Sequence, residues 1–232
     1  MSPVKLENII TAKLKDKYES LYHGDMLTLE ILPESIIDVC NILKNDAELD
    51  FSQLVDLCGV DYLEYGLTNW RTISTTTSGY SRGTTLIDKA TESAWTKPRF
   101  GVVYHLLSVE YNTRIRLKVY VDLETQVESV TAIWPSANWY EREAYDLFGI
   151  FFKGHPDLRR ILTDYGFSGH PFCKDFPLIG EVELRYDAKE QRCVYEPVSI
   201  NQRVNVPKVI RRDNRYVDDA LNSTDKSEKQ HD

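Results

Sequence analysis

The densest group of residues able to do acid–base chemistry is Glu141-Arg142-Glu143, followed by Asp146. Two carboxyl groups held side by side could act as a general acid and a general base. Glu141 and Glu143 are two residues apart on a predicted helix, however, so their side chains point in different directions. Arg142 and Asp146 are four residues apart and can pair with each other. The spacing therefore favours a charged helix face that makes ion pairs, within the chain or across an interface.

A second candidate is a metal site in the region that follows this helix. His155 and His170 flank a stretch that also holds Asp157 and Asp164, and Asp175 comes shortly after it. Imidazole and carboxylate groups are common metal ligands. No two of these residues have the helical ligand spacing of H-x-x-x-H or E-x-x-H, and both histidines precede a proline. We interpret them as turn anchors, with a metal-dependent hydrolase built on His155, Asp157 and His170 as an alternative.

Other cofactor motifs are missing from the sequence. The four cysteines (Cys40, Cys58, Cys173 and Cys193) form no C-x-x-C pair, and the closest two lie 18 residues apart. Iron–sulfur and zinc sites usually show closer pairs. The sequence has neither the G-x-S-x-G elbow of a serine hydrolase nor a glycine-rich phosphate loop. We therefore expect that the chain binds no nicotinamide, flavin, cluster or quinone unaided.

Composition narrows the class of protein further. The chain has 232 residues, 42% of them hydrophobic, and a formal net charge of −8. This length suffices for one globular domain with a tail, and the acidic balance argues against nucleic acid as a ligand. No apolar run approaches the roughly 20 residues that span a bilayer, and the start of the chain resembles no targeting signal. We expect a soluble protein that stays where it is made.

The apolar patterns predict the elements that position these residues. Residues 4–20 have the spacing of an amphipathic helix, residues 26–32 alternate as a strand, and a second helix begins after Pro33. A short apolar segment follows at residues 51–60. Residues 102–109 and 114–122 predict a hairpin, and residues 128–134 predict a further strand that Pro135 ends. The second strand of this hairpin turns apolar side chains inward and basic ones outward; the basic residues are Arg114, Arg116 and Lys118.

A third helix is predicted at residues 138–148. Asn138 could cap it with Glu141 reaching back, and Gly149 would end it. These elements predict an α+β domain over residues 1–150, with a mixed or antiparallel sheet covered by helices on one face.

Two regions break this pattern. Residues 66–99 are rich in Thr and Ser and show no apolar period, which is typical of an exposed inserted loop. Residues 151–200 lose the period but keep many aromatic residues and prolines, which is typical of an extended segment that lies on a neighbouring protein. Residues 201–232 are polar and predict a flexible tail.

One known family carries a signature that is similar to two stretches of this chain. Residues 141–150 read Glu-Arg-Glu-Ala-Tyr-Asp-Leu-Phe-Gly-Ile, and residues 155–162 read His-Pro-Asp-Leu-Arg-Arg-Ile-Leu. Both resemble the C subunit, or 30 kDa-type subunit, of respiratory complex I, the proton-translocating NADH:quinone oxidoreductase. The similarity continues through residues 163–171, Lys174-Asp175-Phe176-Pro177-Leu178 and Tyr195-Glu196-Pro197. Cys173 departs from the family pattern, which usually has Arg there.

This resemblance implies a fold and a role. The family has a ferredoxin-like N-terminal domain and an extended C-terminal segment that wraps around the D subunit of the complex, with the B and I subunits also nearby. It lies in the peripheral arm and holds no redox centre, since FMN, the Fe–S clusters and quinone belong to partner subunits. The complex passes electrons from NADH to quinone and couples this to proton translocation. The resemblance therefore implies a non-redox structural and assembly subunit.

The resemblance also assigns residues and a location. Glu141, Arg142, Glu143 and Asp146 would position the helix and its contacts. The docked segment would carry the remaining signature residues: His155, Arg159, Arg160, His170, Lys174 and Asp175. The chain would lie on the cytoplasmic side of a bacterial inner membrane or, alternatively, on the matrix side of the mitochondrial inner membrane. The equivalent subunit of a related membrane-bound hydrogenase is the alternative function.

Overall fold

A computed structural model describes residues 3–67, 70–72, 84–86 and 95–201. The chain divides into two units, of which the first comprises Met1–Tyr65 and Ala94–Ile200 and the second Gly66–Ser93 and Asn201–Asp232. Most of the predicted inserted loop (66–99) and all of the predicted tail (201–232) except its first residue lie outside the described residues. Within the second unit, β4 (Trp70–Thr72) pairs antiparallel with β5 (Thr84–Leu86).

Three helices lie close to their predicted positions. The first, α1, spans Pro3–Leu14 and continues as a short 3-10 turn at Lys15–Lys17. Pro33 opens another 3-10 turn, after which α2 runs over Ile36–Asn45. The third helix, α3, covers Ala137–Phe148 and ends at Gly149 as predicted. Proline suits a first helical turn because it has no N–H group to leave unpaired.

The first unit is built on a five-stranded mixed sheet in the order β1-β2-β7-β6-β3. Its strands, in chain order, are β1 (Ser20–His23), β2 (Leu27–Glu30), β3 (Gln53–Asp61), β6 (Phe100–Ser108) and β7 (Thr113–Val121). β2 and β7 run parallel, and the other neighbours are antiparallel. Helices and sheet together confirm the predicted α+β class.

One face of the sheet forms the hydrophobic core with the three helices. The inward residues predicted on β7, Ile115, Leu117, Val119 and Val121, are all buried. They share one cluster with Leu6 of α1 and with residues of α2 and α3. Because successive side chains on a strand point to opposite faces, the basic residues of β7 necessarily lie on the other face.

Two strands differ from the prediction. The apolar stretch at Phe51–Val60 becomes β3, a nine-residue edge strand with a bulge between Leu54 and Asp56. The strand predicted over Glu128–Trp134 is reduced to β8 (Val127–Glu128), after which the chain turns. β8 pairs in parallel with β9 (Phe152–Lys153), so that the start of the C-terminal segment is attached beside α3.

An aromatic cluster covers one end of the other sheet face. The Tyr62 and Trp95 rings stack with centroids 4.3 Å apart, and both contact Tyr65 and Tyr120 edge-on. The Lys97 ammonium donates to the Glu30 carboxylate at the same end of the sheet. Stacked and edge-on aromatic pairs add stability beyond the area that they bury. The aromatic contacts therefore join the residues just before residue 66 to those just after residue 94.

Candidate functional site

The signature residues gather around α3, which packs against the edge strand β3. This close packing requires Gly59, because a side-chain carbon at that position would lie 2.5 Å from the Phe148 ring. Glu141 is completely buried, and its carboxylate accepts hydrogen bonds from Ser129 Oγ at 2.6 Å and from the Val130 backbone N–H at 2.8 Å. Burial raises the pKa of Glu141 to about 7, and these two hydrogen bonds partly oppose the rise.

The predicted capping box at the start of α3 is therefore wrong. The helix begins at Ala137 after Ser136, and no side chain caps it. Glu141 reaches instead to the turn after β8, which is distant in sequence. A capping rule counts only local spacing, and tertiary packing has drawn this side chain into the core.

Asp146 organises the first part of the C-terminal segment. Its buried carboxylate accepts hydrogen bonds from three successive backbone N–H groups, those of Ile161, Leu162 and Thr163, at 2.7 to 3.0 Å. The Thr163 hydroxyl and the Arg160 guanidinium also donate to it. Burial alone would raise the pKa of Asp146, but these hydrogen bonds outweigh it and lower the pKa to about 2.

The predicted pairing of Arg142 with Asp146 is also wrong. Arg142 donates to the backbone carbonyl groups of Arg159 and Arg160, and its guanidinium lies 5.2 Å from the centre of the Trp139 ring. The ion pair to Asp146 comes from Arg160, at 3.1 Å. Arg142 and Asp146 thus each bind the segment over residues 159–163 and do not pair with each other. The prediction of ion pairs within the chain is confirmed, but with other partners.

The two histidines bind backbone groups on the same side of α3. His170 donates through Nδ1 to the Asp146 carbonyl at 2.9 Å. His155 donates through Nε2 to the Asn138 carbonyl at 3.2 Å and accepts from the Asp157 N–H at 3.0 Å. Each histidine therefore anchors a turn to the helix, as the sequence indicated. Within the described part of the chain they do not form a metal-binding group with Asp157.

Lys174 and Asp175 lie at a second attachment point, centred on Arg99. The Arg99 guanidinium forms ion pairs with Asp61 at 2.7 Å and with Asp175 at 2.9 Å. The Lys174 backbone N–H also donates to Asp61. Cys173 lies beside the two carboxylates, and the three side chains are close enough to share an ion. Because the Arg99 guanidinium already pairs with both carboxylates, we interpret the cluster as a clasp that holds the segment to the sheet.

The remaining signature residues, Glu143 and Arg159, face solvent. Arg159 forms an exposed ion pair with Asp157 at 2.9 Å. Glu143 has neither a hydrogen bond nor an ion pair within the described residues. It shares the exposed side of α3 with Trp139, which is 59% exposed. These side chains are available to a partner, whereas Glu141 and Asp146 are not.

A hairpin near the end of the segment was not predicted from the sequence. β10 (Val182–Asp187) pairs antiparallel with β11 (Arg192–Pro197). One face of this hairpin is apolar and carries three cross-strand pairs: Val182 with Pro197, Leu184 with Tyr195, and Tyr186 with Cys193. The large residues of this face are 57 to 61% exposed. The alternation of apolar and charged residues over 182–187 was the signal available in the sequence.

Two grooves with mainly apolar linings lie next to the hairpin and the clasp. One groove of about 290 Å³ runs between the hairpin and residues 164–168, where Tyr195 donates to Asp164 at 2.5 Å. Another, of about 600 Å³, lies beside Phe172 and Leu178. Leu178 is 86% exposed. Soluble monomers rarely leave such a continuous apolar surface uncovered, so it is typical of a protein–protein interface.

Comparison with known proteins points to one family. The family described as the 30 kDa subunit of respiratory-chain NADH dehydrogenase matches residues 29–182. The C subunit of NADH-quinone oxidoreductase from Coxiella burnetii (strain Dugway 5J108-111) is 59% identical over 213 residues, which cover 91% of this chain and 94% of that protein. The protein of the same name from Legionella pneumophila (strain Corby) is 57% identical over 192 residues, covering 82% and 84%. In the described part of the chain, no helix is long and apolar enough to cross a membrane.

Proposed function

The chain belongs to the family of the 30 kDa subunit of respiratory-chain NADH dehydrogenase, and from this membership we propose that it is a structural and assembly subunit of NADH-quinone oxidoreductase. It would brace the quinone-reducing module of the peripheral arm and carry no redox centre itself. Electron transfer from NADH through FMN and Fe–S clusters to quinone, coupled to proton translocation, would take place in partner subunits.

The exposed apolar face of the hairpin β10–β11 is the observation that carries the proposal. An isolated two-stranded hairpin is marginally stable in water, and this one leaves its apolar side uncovered by the described residues. Asp146 and Arg99 meanwhile fix the chain that leads to it. A segment held rigidly at its base and apolar at its end is suited to docking on a neighbouring protein.

The proposal also names the neighbours and the location. The D subunit would receive the C-terminal segment, and the B and I subunits would complete the surroundings. The complex would hold the chain peripherally at the inner membrane, on the cytoplasmic side in a bacterium. The identity of 59% to a C subunit of NADH-quinone oxidoreductase favours this function over the equivalent role in a membrane-bound hydrogenase.

Leu184→Glu tests the docking role directly. The change places a charge at the centre of the apolar hairpin face, where burial against a partner would be costly. We expect the chain to be lost from the active complex on a native gel of membranes solubilised in mild detergent and stained for NADH dehydrogenase activity. Lys189→Glu, in the hairpin turn, is the matched control and should leave comigration intact. A Leu184→Glu chain that still comigrates in normal amount would refute the docking role.

Glu143→Gln tests the exposed face of α3. Because Glu143 has no partner within the described residues, its carboxylate is free to contact another subunit. We expect less assembled complex with unchanged turnover per assembled complex, measured as NADH:quinone activity divided by the amount of complex. Normal assembly with slowed turnover would contradict a structural role and indicate direct participation in quinone or proton chemistry.

A further inference from the structure

The sheet face opposite the helices carries a row of three cations on β7. Arg114, Arg116 and Lys118 alternate with the buried Ile115 and Leu117 and therefore project together from this face. Residues two apart on a strand are about 6.7 Å apart, so the row is a regular line of positive charge. We call these three residues the basic strip.

Among the residues that the structure describes, the carboxylates on the same face form no ion pair with the strip. The Glu30 carboxylate accepts from Ser20, Tyr120 and Lys97 and is almost fully buried. Asp56 lies 3.8 Å from the Nδ1 atom of His105. Neither forms an ion pair with the strip, and none of its three cations has an ion pair with any other residue that the structure describes.

The contacts that the strip does make leave its charge in place. Arg116 donates from Nε to the Nε2 atom of His105 at 2.9 Å, so its partner is an imidazole acceptor and not a carboxylate. Burial and the charge of Arg116 lower the pKa of His105 and favour its neutral ring. The charge of Asp56 acts in the opposite direction but does not outweigh them. The Lys118 ammonium lies 5.5 Å from the centre of the Tyr22 ring, so its contact is with an aromatic face and not with a carboxylate.

Three neighbouring cations without an ion pair among the described residues are unusual in a chain with a net charge of −8. The aromatic cluster and Lys97 cover the Tyr120 end of this face, whereas Arg114 is exposed at the other end. Tyr22 and Leu107 flank the strip and offer partly exposed apolar surface. An extended chain with carboxylates at alternate positions would be complementary to this surface. Its carboxylates would be about 6.7 Å apart, which is also the distance between neighbouring cations of the strip.

We propose that the basic strip is a second docking surface, which binds an extended acidic segment of a partner subunit. This inference rests on the proposed function, because the partner is a subunit of the same complex. It goes beyond that function by adding an electrostatic contact on the sheet face to the apolar contact of the C-terminal hairpin. The sheet domain is then held from a surface of its own.

Cross-linking within the complex tests the inference. Tyr22 is replaced by p-benzoylphenylalanine, a photoreactive aromatic residue of similar shape, and Tyr165 is replaced in a second variant. Tyr165 is 88% exposed in the C-terminal segment and reports on the proposed function separately. Membranes are irradiated, and cross-linked peptides are identified by mass spectrometry. We expect the Tyr22 probe to capture an acidic partner segment.

The outcomes of cross-linking separate the two proposals. The proposed second docking surface would be overturned if the Tyr22 probe cross-links only to this chain itself, to lipid, or to a partner segment that has no carboxylates. This holds even if the Tyr165 probe captures a partner. The proposed function would be refuted instead if the Tyr165 probe captures no partner and the chain is absent from the complex.

Charge reversal gives an independent test. Arg114→Glu changes the strip, and Lys15→Glu makes the same change in net charge at an exposed position after α1. We expect Arg114→Glu to reduce the amount of chain that stays in the complex after a salt wash by about threefold, the range of a single ion contact, with Lys15→Glu unchanged. Equal retention of the two variants would overturn the inference. Melting of each purified full-length chain verifies that folding is unaffected.

Discussion

Two carboxyl groups on α3 are both buried, yet their pKa values are displaced in opposite directions. Glu141 has two hydrogen-bond donors and a pKa raised to about 7. Asp146 receives five hydrogen bonds, one of them from a guanidinium, and its pKa falls to about 2. Desolvation raises the pKa of a carboxyl group, and donated hydrogen bonds lower it. Two donors do not outweigh desolvation at Glu141, whereas five donors do at Asp146. These two members of the charged group on α3 are therefore a core residue and a structural anchor.

Asp146→Asn should release the segment over residues 160–163. The amide cannot accept all the hydrogen bonds of the carboxylate, and Arg160 loses its ion pair, so we expect a loss of about 3 kcal/mol in unfolding free energy at pH 7. Because the folded pKa is depressed, the carboxylate stabilises the protein above about pH 4 and loses this effect as the pH falls towards about 2.

Urea denaturation of both proteins across this range checks the prediction. The difference in stability between wild type and Asp146→Asn should shrink by about 2 kcal/mol on acidification. A difference that stays constant with pH would show that the ionised carboxylate is not what holds the segment.

Glu141→Gln should have the opposite pH dependence. The folded pKa of Glu141 is raised, so folding favours the protonated form, and the penalty for ionisation grows from about pH 4 and is complete above pH 7. We expect the variant to gain about 3 kcal/mol relative to wild type between pH 4 and pH 8. Urea denaturation at several pH values measures this gain, with Glu143→Gln as the control for losing an exposed carboxyl from the same helix.

At the scale of elements, the sequence predicted the helices and the central strands because their apolar periods are strong. The hairpin predicted at residues 102–109 and 114–122 is observed as β6 and β7 within two residues, and α3 begins one residue before its prediction. β1 has only four residues, and its exposed end shows no alternation, so nothing in its pattern identified it. The partners of Glu141 and Asp146 lie 11 to 17 residues away, beyond any local pairing rule.

Gly149 ends α3 and also allows the His170 ring to pack closely against the chain. It ends α3 with φ of +80°, and a side-chain carbon there would lie 2.9 Å from the His170 ring. Gly149→Ala should therefore incur both backbone strain and displacement of His170. Gly154→Ala is the matched control, since Gly154 also has φ of +80° but nothing within 4 Å. We expect about 1 kcal/mol of destabilisation in the control and at least about 2 kcal/mol at Gly149, measured by urea denaturation. Equal effects would mean that the contact with His170 adds nothing.

At the scale of the molecule, the sheet domain contains the core, whereas the hairpin β10–β11 leaves its apolar face exposed. The apolar hairpin face contributes nothing to the core cluster, which draws on the helices and the five-stranded sheet. A chain that ends after Gly180 should therefore keep its folding stability to within about 1 kcal/mol while failing to enter the complex. Urea denaturation and native gels measure the two properties. A large loss of stability would instead make the hairpin part of the folding unit.

The exposed hairpin face also bears on how the cell controls the supply of this chain. Before assembly, Leu184, Tyr186 and Tyr195 present an apolar strand surface to their surroundings, the kind of surface that chaperones and proteases recognise. On the proposed function, copies made in excess of their partner would keep this surface exposed, whereas assembled copies would bury it. If the hairpin docks as proposed, the same feature would shorten the half-life of orphan copies and help to keep subunit numbers matched.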